Sequence, residues 1–309
     1  MIQRTACPET RHSGSLFSTF KEGWKMLARL FDSHAHYFDR RFSSGECGSD
    51  VHAVLQNDVF SQNVGYIVNV GTSPRSSQMA VDMAKQYEGM YASVGIHPED
   101  AQFLTVSPEA AVAEIEAYLS DTEARKRNKI VALGEIGLDY HSWANGEFVP
   151  DKALQKVYFE KQMELAERYR MPVIIHDREA HGDCFETVLR YPNVRGVFHS
   201  YSGSAEMARE LMKRGWYISF SGVLTFKNAE RVRDVARSLD IGMLLIETDA
   251  PYLAPHPYRG KLNHSGLMRY TAETLAEVQG LPVEDVIRIT AENAMKLYGI
   301  EAVEGREQA

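Results

Sequence analysis

The stretch that decides the fold is "RLFDSHAHYFD", residues 29–39. A short apolar run leads here into two histidines, His34 and His36, that stand one residue apart. Side chains at positions i and i+2 of a β-strand point to the same side, so both imidazoles can face one interior. The pattern therefore predicts a buried strand that ends in a pair of imidazoles able to chelate one metal ion.

The same kind of apolar run recurs along the chain. The runs after the first are "GYIVNVG" (65–71), "MYASVGIH" (90–97), "IVALGEIG" (130–137), "PVIIH" (172–176), "RGVFHS" (195–200), "YISFSG" (217–222) and "MLLIETD" (243–249). Segments of helical period separate them, near 50–62, 74–88, 108–126, 151–170, 180–190, 204–214 and 228–239. Two more helices, near 266–279 and 283–298, follow the last run.

This alternation predicts an α/β fold, a (β/α)8 TIM barrel with an extra C-terminal helix. Eight strands that are each followed by a helix form a parallel sheet covered on its outside, and eight repeats close naturally into a barrel. An open doubly wound sheet is the competitor, but no GxGxxG fingerprint follows the first strand. We assign residues 28–301 to one barrel domain and 302–309 to a tail. Residues 1–27 are an N-terminal extension, either a short packing helix or disordered.

Composition excludes several classes of protein. The chain has 309 residues, of which 44% are hydrophobic, and a net charge of -8. This charge argues against a protein that coats nucleic acid, although a local basic rim is compatible with it. No apolar run approaches the ~20 residues of a membrane helix. The three scattered cysteines fit a reduced, cytoplasmic chain. The oligomeric state cannot be predicted from these features.

Strongly polar residues collect at the ends of the apolar runs. In a parallel barrel the carboxyl ends of all strands open onto one face, where barrel enzymes place their active sites. The residues that would converge there are His34, His36, Glu135, His176, His199 and Asp249. A single histidine at a strand end is more often a hydrogen-bonded structural residue. Six such residues at one face favour a metal centre.

The ligand types predict the ions. Imidazoles with carboxylates suit Zn, Mn, Ni or Fe, and Mg less well. One catalytic site typically uses three protein ligands, so six ligands suggest two divalent ions roughly 3.5–4 Å apart. Glu135 is the preferred bridge because a carboxylate has two oxygens, and Asp249 is the preferred terminal ligand and general base. Asp32 either orients an imidazole or caps the end of its strand.

At these residues the sequence resembles the TatD family of metal-dependent deoxyribonucleases, within the amidohydrolase-like barrels. The matching stretches are "FDSHAHYFD", "VGIHPED", "ALGEIGLDYH", "PVIIHDREAH", "FHSYSG", "IETDAPYLAPHPYRGKLN" and "ITAENAMKLYGI". The first six stand in the family's order between about residues 31 and 263, and the last resembles the family's C-terminal helix. The continuation His264-Ser265-Gly266 departs from the Glu-Pro that the family tends to have there.

The resemblance implies a two-metal site with assigned ligands. The first ion would be held by His34, His36 and Asp249, the second by His176 and His199, and Glu135 would bridge both. The resemblance also implies phosphate-facing roles for His97 and Arg259, with Arg178 assisting. Taken alone, His97 and Arg259 are also compatible with a structural histidine and a surface ion pair, and Arg178 more so because Glu179 and nearby acids offer it surface partners.

The expected function is metal-dependent hydrolysis of phosphodiesters, with Asp249 and Glu135 as catalytic residues and DNA as a transient partner. The resemblance favours a deoxyribonuclease with 3′–5′ exonuclease-type action on single-stranded or frayed DNA. The alternative is an amidohydrolase that cleaves a C–N or ester bond in a small substrate. Related binuclear enzymes often bridge their metals with a modified lysine where this chain has Glu135, which favours the nuclease. A non-catalytic, metal-stabilised binding barrel is the third hypothesis.

Overall fold

Eight parallel strands form one sheet in chain order. The computed structural model describes residues 29–43, 50–144, 146 and 148–301. The strands are β1 (Leu30–Ala35), β2 (Val64–Val70), β3 (Met90–Val94), β4 (Ile130–Asp139), β5 (Val173–Arg178), β6 (Gly196–Phe198), β7 (Tyr217–Phe220) and β8 (Leu244–Ile246). Helices lie between them, so the predicted (β/α)8 barrel is confirmed.

The barrel is closed between its first and last strands by few contacts. Ala35 and Ala250 form a single parallel bridge there. The backbone N–H of His36 donates to the carbonyl of Ala250 (2.7 Å), and the N–H of Asp249 donates to the carbonyl of His34 (2.9 Å). This seam therefore joins the His-x-His stretch directly to the segment that follows β8.

The helices cover the outside of the sheet. Their bounds are α1 (Val51–Val54), α2 (Pro74–Gln86), α3 (Pro98–Ala101), α4 (Pro108–Leu119), α5 (Thr122–Arg127), α6 (Lys152–Tyr169), α7 (His181–Leu189), α8 (Ala205–Lys213), α9 (Glu230–Arg237), α10 (Met268–Gln279) and α11 (Val283–Tyr298). A π-helical turn (Leu55–Val59) and a 3-10 turn (Phe60–Gln62) extend α1, and further 3-10 turns span Arg40–Phe42, Gly222–Thr225, Ile241–Met243 and Ser265–Leu267. Within the described residues, no helix combines the length and the hydropathy needed to cross a membrane.

The extra C-terminal helix, α11, is present as predicted and packs against the barrel. Its Asn293 side chain donates to the carbonyls of Ile241 (2.9 Å) and Leu244 (2.8 Å), at the start of β8. The Tyr298 ring stacks on Phe31 of β1, with 6.1 Å between the ring centres. The helix therefore covers the end of the barrel opposite to the strand carboxyl ends.

Three details differ from the expectation. The predicted helix near 108–126 is two helices, because the Asp121 side chain accepts the N–H groups of residues 123 and 124 and begins α5 there. The third and eighth strands end before His97 and Asp249, which lie three residues beyond them. Pro98 begins a helix directly after His97, and Asp249 has a φ of 57° that no strand residue adopts.

The domain boundaries stay predictions. The proposed extension 1–27 and tail 302–309 lie outside the described residues. The cytoplasmic location likewise stays a prediction.

Candidate metal centre

Glu135 lies at the middle of the predicted cluster, and its two oxygens face different imidazoles. Its Oε2 lies 3.3 Å from His34 Nε2 and 3.7 Å from His36 Nε2. Its Oε1 lies 2.7 Å from His176 Nδ1 and 2.8 Å from His199 Nε2. One buried carboxylate therefore contacts four imidazoles that come from three other strand ends.

Asp249 completes the side of the cluster that contains the first two histidines. Its Oδ1 lies 3.3 Å from His36 Nε2 and 3.8 Å from His34 Nε2. Aspartate tolerates the left-handed backbone better than most residues, which suits the φ of 57° at this position. The Asp249 side chain is 17% exposed and that of Glu135 only 4%. Asp249 is therefore the carboxylate that opens toward solvent.

Two glycines beside Glu135 allow β4 to approach β5 closely. A Cβ atom at Gly137 would lie 2.1 Å from the carbonyl oxygen of His176, and one at Gly134 would lie 2.7 Å from the Cβ of Ile174. Gly137 also has a φ of +138°, which L-residues rarely adopt. The sequence "LGEIG" thus places the Glu135 carboxylate within reach of the β5 imidazole.

Three of the imidazoles are fixed by acceptors on their outer nitrogens. The pairs are His36 Nδ1 with the Val70 carbonyl (2.7 Å), His176 Nε2 with Asp139 Oδ2 (2.9 Å) and His199 Nδ1 with Glu247 Oε1 (3.2 Å). A carbonyl or carboxylate oxygen can only accept, so each outer nitrogen carries the proton. When one of these imidazoles is neutral, its inner nitrogen is unprotonated and directs a lone pair at the cluster.

This set of ligand atoms fits divalent cations. The inner nitrogens of these three imidazoles and the oxygens of Glu135 and Asp249 are acceptors, and they lie 2.7 to 3.7 Å apart. Acceptors at such separations repel one another unless protons or cations lie between them. Imidazoles held by a carboxylate or carbonyl on the far nitrogen are the usual arrangement around a protein-bound transition metal. Three overlapping groups of ligand atoms are close enough to hold an ion.

The pKa shifts describe the same need for positive charge. Burial raises the pKa of Glu135, but the surrounding imidazoles outweigh burial and hold it well below its ordinary value. Burial lowers the pKa of His176, but hydrogen bonds to Asp139 and Glu135 outweigh it and raise the pKa to about 9. Without metal, protons therefore take the place of cations in this cluster.

His97 differs in its tautomer from the three imidazoles whose outer nitrogens have acceptors. Its Nε2 lies 3.6 Å from Glu135 Oε1, and its ring contacts His176 edge-on at 4.3 Å between centres. Its Nδ1 accepts the backbone N–H of Glu99 (3.1 Å). Burial and the neighbouring His176 lower the pKa of His97 to about 3, so the ring is neutral. His97 therefore presents an N–H donor to the centre, although its position alone would allow it to bind metal.

The sequence model of the TatD related DNase family matches residues 31–299. The chain belongs to this family. YabD of Bacillus subtilis, named an uncharacterized metal-dependent hydrolase, is 38% identical over 274 residues, which cover 88% of this chain and 99% of that protein. YcfH of Escherichia coli K12, named in the same way, is 33% identical over 277 residues, which cover 88% and 97%. This TatD-family chain is therefore a metal-dependent hydrolase.

A solved structure of a TatD homolog agrees with the family assignment. The crystal structure of YJJV, a TatD homolog from Escherichia coli K12, aligns with a TM-score of 0.77 at 27% identity. The alignment covers 89% of this chain and all of that one. The family match thus extends to the whole barrel.

The two arginines with predicted substrate roles lie in different places. Arg178 ends β5, is half-exposed, and has its Nη1 4.0 Å from Asp139 Oδ2. The Arg259 guanidinium lies over the Phe226 ring, 3.6 Å from its centre. The structure therefore puts Arg178 at the edge of the metal centre and brings Arg259 to another part of the same face. The substrate roles of His97, Arg178 and Arg259 stay predictions.

Sequence reasoning missed two buried carboxylates, Asp139 and Glu247, which hold the outer nitrogens of His176 and His199. A signal for both was present. Asp139 follows Glu135 by four residues on β4, and Glu247 precedes Asp249 by two in the run "MLLIETD" that the sequence predicts as a strand. Even spacings along a strand point to one side. These carboxylates fix the orientation of the imidazoles that contact Glu135.

Asp32 was left with two possible roles, and the structure supports the structural one. Its carboxylate accepts from Thr248 N (3.0 Å), Thr248 Oγ1 (2.5 Å) and Ser265 Oγ (2.6 Å). Burial nevertheless raises the pKa of Asp32 to about 6. In the described part of the chain these bonds go to backbone and hydroxyl groups, not to a ring nitrogen. Asp32 therefore ties β1 to the segment after β8.

Proposed function

We propose that this hydrolase cleaves phosphodiester bonds of single-stranded DNA with two divalent ions held on either side of Glu135. The observation that carries the proposal is the division of the Glu135 oxygens, with Oε2 toward His34 and His36 and Oε1 toward His176 and His199. A shared carboxylate between two sets of ligands is the arrangement that a pair of ions requires. The TatD related DNase family name supports the choice of substrate.

The residues of the cluster divide between the ions. His34, His36 and Asp249 would hold one ion, His176 and His199 the other, and Glu135 both. When bound, such a pair stabilises the charge on a phosphoryl group and lowers the pKa of water to near neutrality. Asp139, Glu247 and the Val70 carbonyl keep the imidazole lone pairs directed inward.

Asp249 and His97 have complementary roles in the reaction. Asp249 has the more exposed carboxylate of the pair that faces the cluster, so an entering water molecule can transfer its proton to an Asp249 oxygen. His97 presents its Nε2–H toward the same centre and would donate to a non-bridging phosphate oxygen. Arg178, at the edge of the metal centre, would donate a charged hydrogen bond to the neighbouring backbone of the DNA.

Single strands or frayed 3′ ends suit this molecule better than intact duplexes. The net charge of -8 leaves no general attraction for polyanions, so the substrate must be held by a few local contacts. A single strand can be bent into the mouth of the barrel and held by such contacts. The 3′–5′ exonuclease-type action expected from the family resemblance is part of this proposal.

The competing function is hydrolysis of a C–N or ester bond in a small substrate, because the relatives are named hydrolases with no substrate specified. The test begins with elemental analysis of the purified full chain. Single-stranded and duplex DNA, labelled at either end, are then digested with Zn, Mn, Ni, Fe or Mg. Dihydroorotate-like and lactone substrates are assayed in parallel. We expect two ions per chain and shortening of single strands from the 3′ end. Turnover of the small substrates alone would reject the nuclease.

A further inference from the structure

A second feature of the strand-end face is a cavity of about 320 Å³. Its lining residues are Phe226, Lys227, Asn228, His256 and Arg259. They come from the segments that follow β7 and β8, and the six predicted metal ligands are not among them. The volume is at the lower end of the range of about 300–1,000 Å³ for small-molecule sites.

The two segments that form this cavity are fixed against each other and lead from the metal centre. A Cβ atom at Gly222 would lie 2.1 Å from the Leu253 carbonyl oxygen, so the backbones are in contact there. Farther along, the backbone N–H of His256 donates to Thr225 Oγ1 (2.7 Å). The second segment begins at Asp249 itself. The cavity is therefore a continuation of the loops that start beside the predicted ions.

The cations in the cavity are oriented but not neutralised. The Arg259 guanidinium lies over the Phe226 ring, with 3.6 Å from Cζ to the ring centre, a cation–π contact that leaves its N–H groups able to donate to a ligand. Neighbouring arginines form ion pairs, such as Arg233 with Glu230 (2.8 Å). Within the described residues, neither Lys227 nor Arg259 has an ion pair of this kind. In a chain of net charge -8, such a pair of cations is suited to an anionic ligand.

We propose that this cavity binds a backbone phosphate of the nucleotide next to the scissile bond. This inference rests on the proposed nuclease function and adds to it a second contact, away from the ions. A single strand that enters the metal centre passes along the loops after β7 and β8. Its next phosphate would meet the N–H edge of Arg259 and the Lys227 ammonium, both of which suit phosphate oxygens.

The test measures the affinity for a fluorescein-labelled oligo-dT of about a dozen nucleotides. The full metal-loaded chain carries Asp249→Asn to prevent cleavage, and the wild-type chain is measured with a phosphorothioate-linked oligomer. Lys227→Ala and Arg259→Ala are compared with Lys213→Ala. Lys213 is an exposed lysine at the end of α8, on the far side of the barrel. Anisotropy is recorded at several salt concentrations.

We expect each cavity variant to raise Kd about five- to tenfold and to reduce the slope of log K against log salt by about 0.7. Phe226→Leu should raise Kd about threefold through loss of the cation–π contact, and Lys213→Ala should have no effect. If Lys227→Ala and Arg259→Ala both leave the affinity and the salt slope unchanged, the inference is overturned, even if the chain cleaves DNA. Reduced binding in a chain that cleaves no DNA would keep the cavity and reject the proposed nuclease. A parent chain that binds no oligomer would overturn both.

Discussion

The metal centre and the cavity lined by Phe226, Lys227 and Arg259, called the rim cavity below, share one face of the barrel but are built differently. At the centre, Glu135 and His34 are buried, and glycines bring the strands together around them. At the rim, Lys227 and Arg259 are exposed and stand on loops. The centre holds its ligand atoms in a fixed geometry that suits an ion. The rim carries cationic side chains that can adjust to a flexible ligand. The difference suggests that chemistry and substrate choice are encoded in separate parts of the chain.

The largest effect should come from the centre itself. Glu135→Gln and Asp249→Asn should each lower turnover about a thousandfold, because one loses the shared anionic bridge and the other the proton acceptor. Asparagine also tolerates the left-handed backbone at position 249, so the fold should survive, as circular dichroism would check. Glu114→Gln, on the exposed face of α4, is the matched control. Undiminished turnover in Asp249→Asn would exclude Asp249 as the base.

Removal of the ions should destabilise the centre and leave the rim unaffected. Chelation should lower the free energy of unfolding by about 3–4 kcal/mol for each ion, if free metal exceeds its dissociation constant roughly 100- to 1,000-fold. Thermal unfolding with and without EDTA measures this loss. The Lys227→Ala variant should lose the same amount of unfolding free energy on chelation, since the rim holds no ion. A smaller loss in that variant would remove the distinction between the two regions.

The pH dependence of the metal-free chain gives a sharper version of this test. The pKa of His176 is raised from an ordinary value of 6.5 to about 9. A raised pKa gives stability that is complete below about 6.5 and is lost as pH rises through 9. The melting temperature of the chelated protein should therefore fall over this window. The metal-loaded protein should show a weaker dependence, because its imidazoles are held deprotonated by the ions. Parallel curves would contradict the assignment.

A moderate effect is expected from the carboxylate behind His176. Asp139→Asn should weaken binding of one ion about ten- to a hundredfold, since Asp139 orients the imidazole and increases its basicity. Isothermal titration with Zn or Mn measures the affinities. Asp183→Asn, on the neighbouring helix α7, is the control because the Asp183 carboxylate pairs with Lys156 and accepts from Tyr140 rather than from an imidazole of the centre. Equal affinities for the two variants would make Asp139 a purely structural residue.

The smallest effect should come from the boundary between the regions. Arg178 is half-exposed, and its Nη1 lies 4.0 Å from Asp139 Oδ2, a separation at which solvent screens most of the attraction. Arg178→Gln should raise KM for the oligonucleotide about threefold and leave kcat and metal content unchanged. A tenfold loss of metal affinity would instead place Arg178 within the centre.

The centre could be predicted from the sequence because strand geometry determines it. The i, i+2 spacing of His34 and His36 fixes their common direction, and the carboxyl ends of parallel strands must meet at one face. The rim could not be predicted in this way. Arg259 was grouped with His97, yet its position depends on how the loop after β8 packs against Gly222 and Phe226. No periodic rule governs such contacts between loops.

The seam between β1 and β8 has a consequence for the dynamics of the barrel. Ala35 and Ala250 form a backbone bridge there, and His36 and Asp249 approach each other across the same seam, with 3.3 Å between Nε2 and Oδ1. A cation shared by these two side chains would act as a clasp on the seam. Amide hydrogen exchange at residues 34–36 and 249–250 should then slow more on metal loading than exchange anywhere else in the sheet.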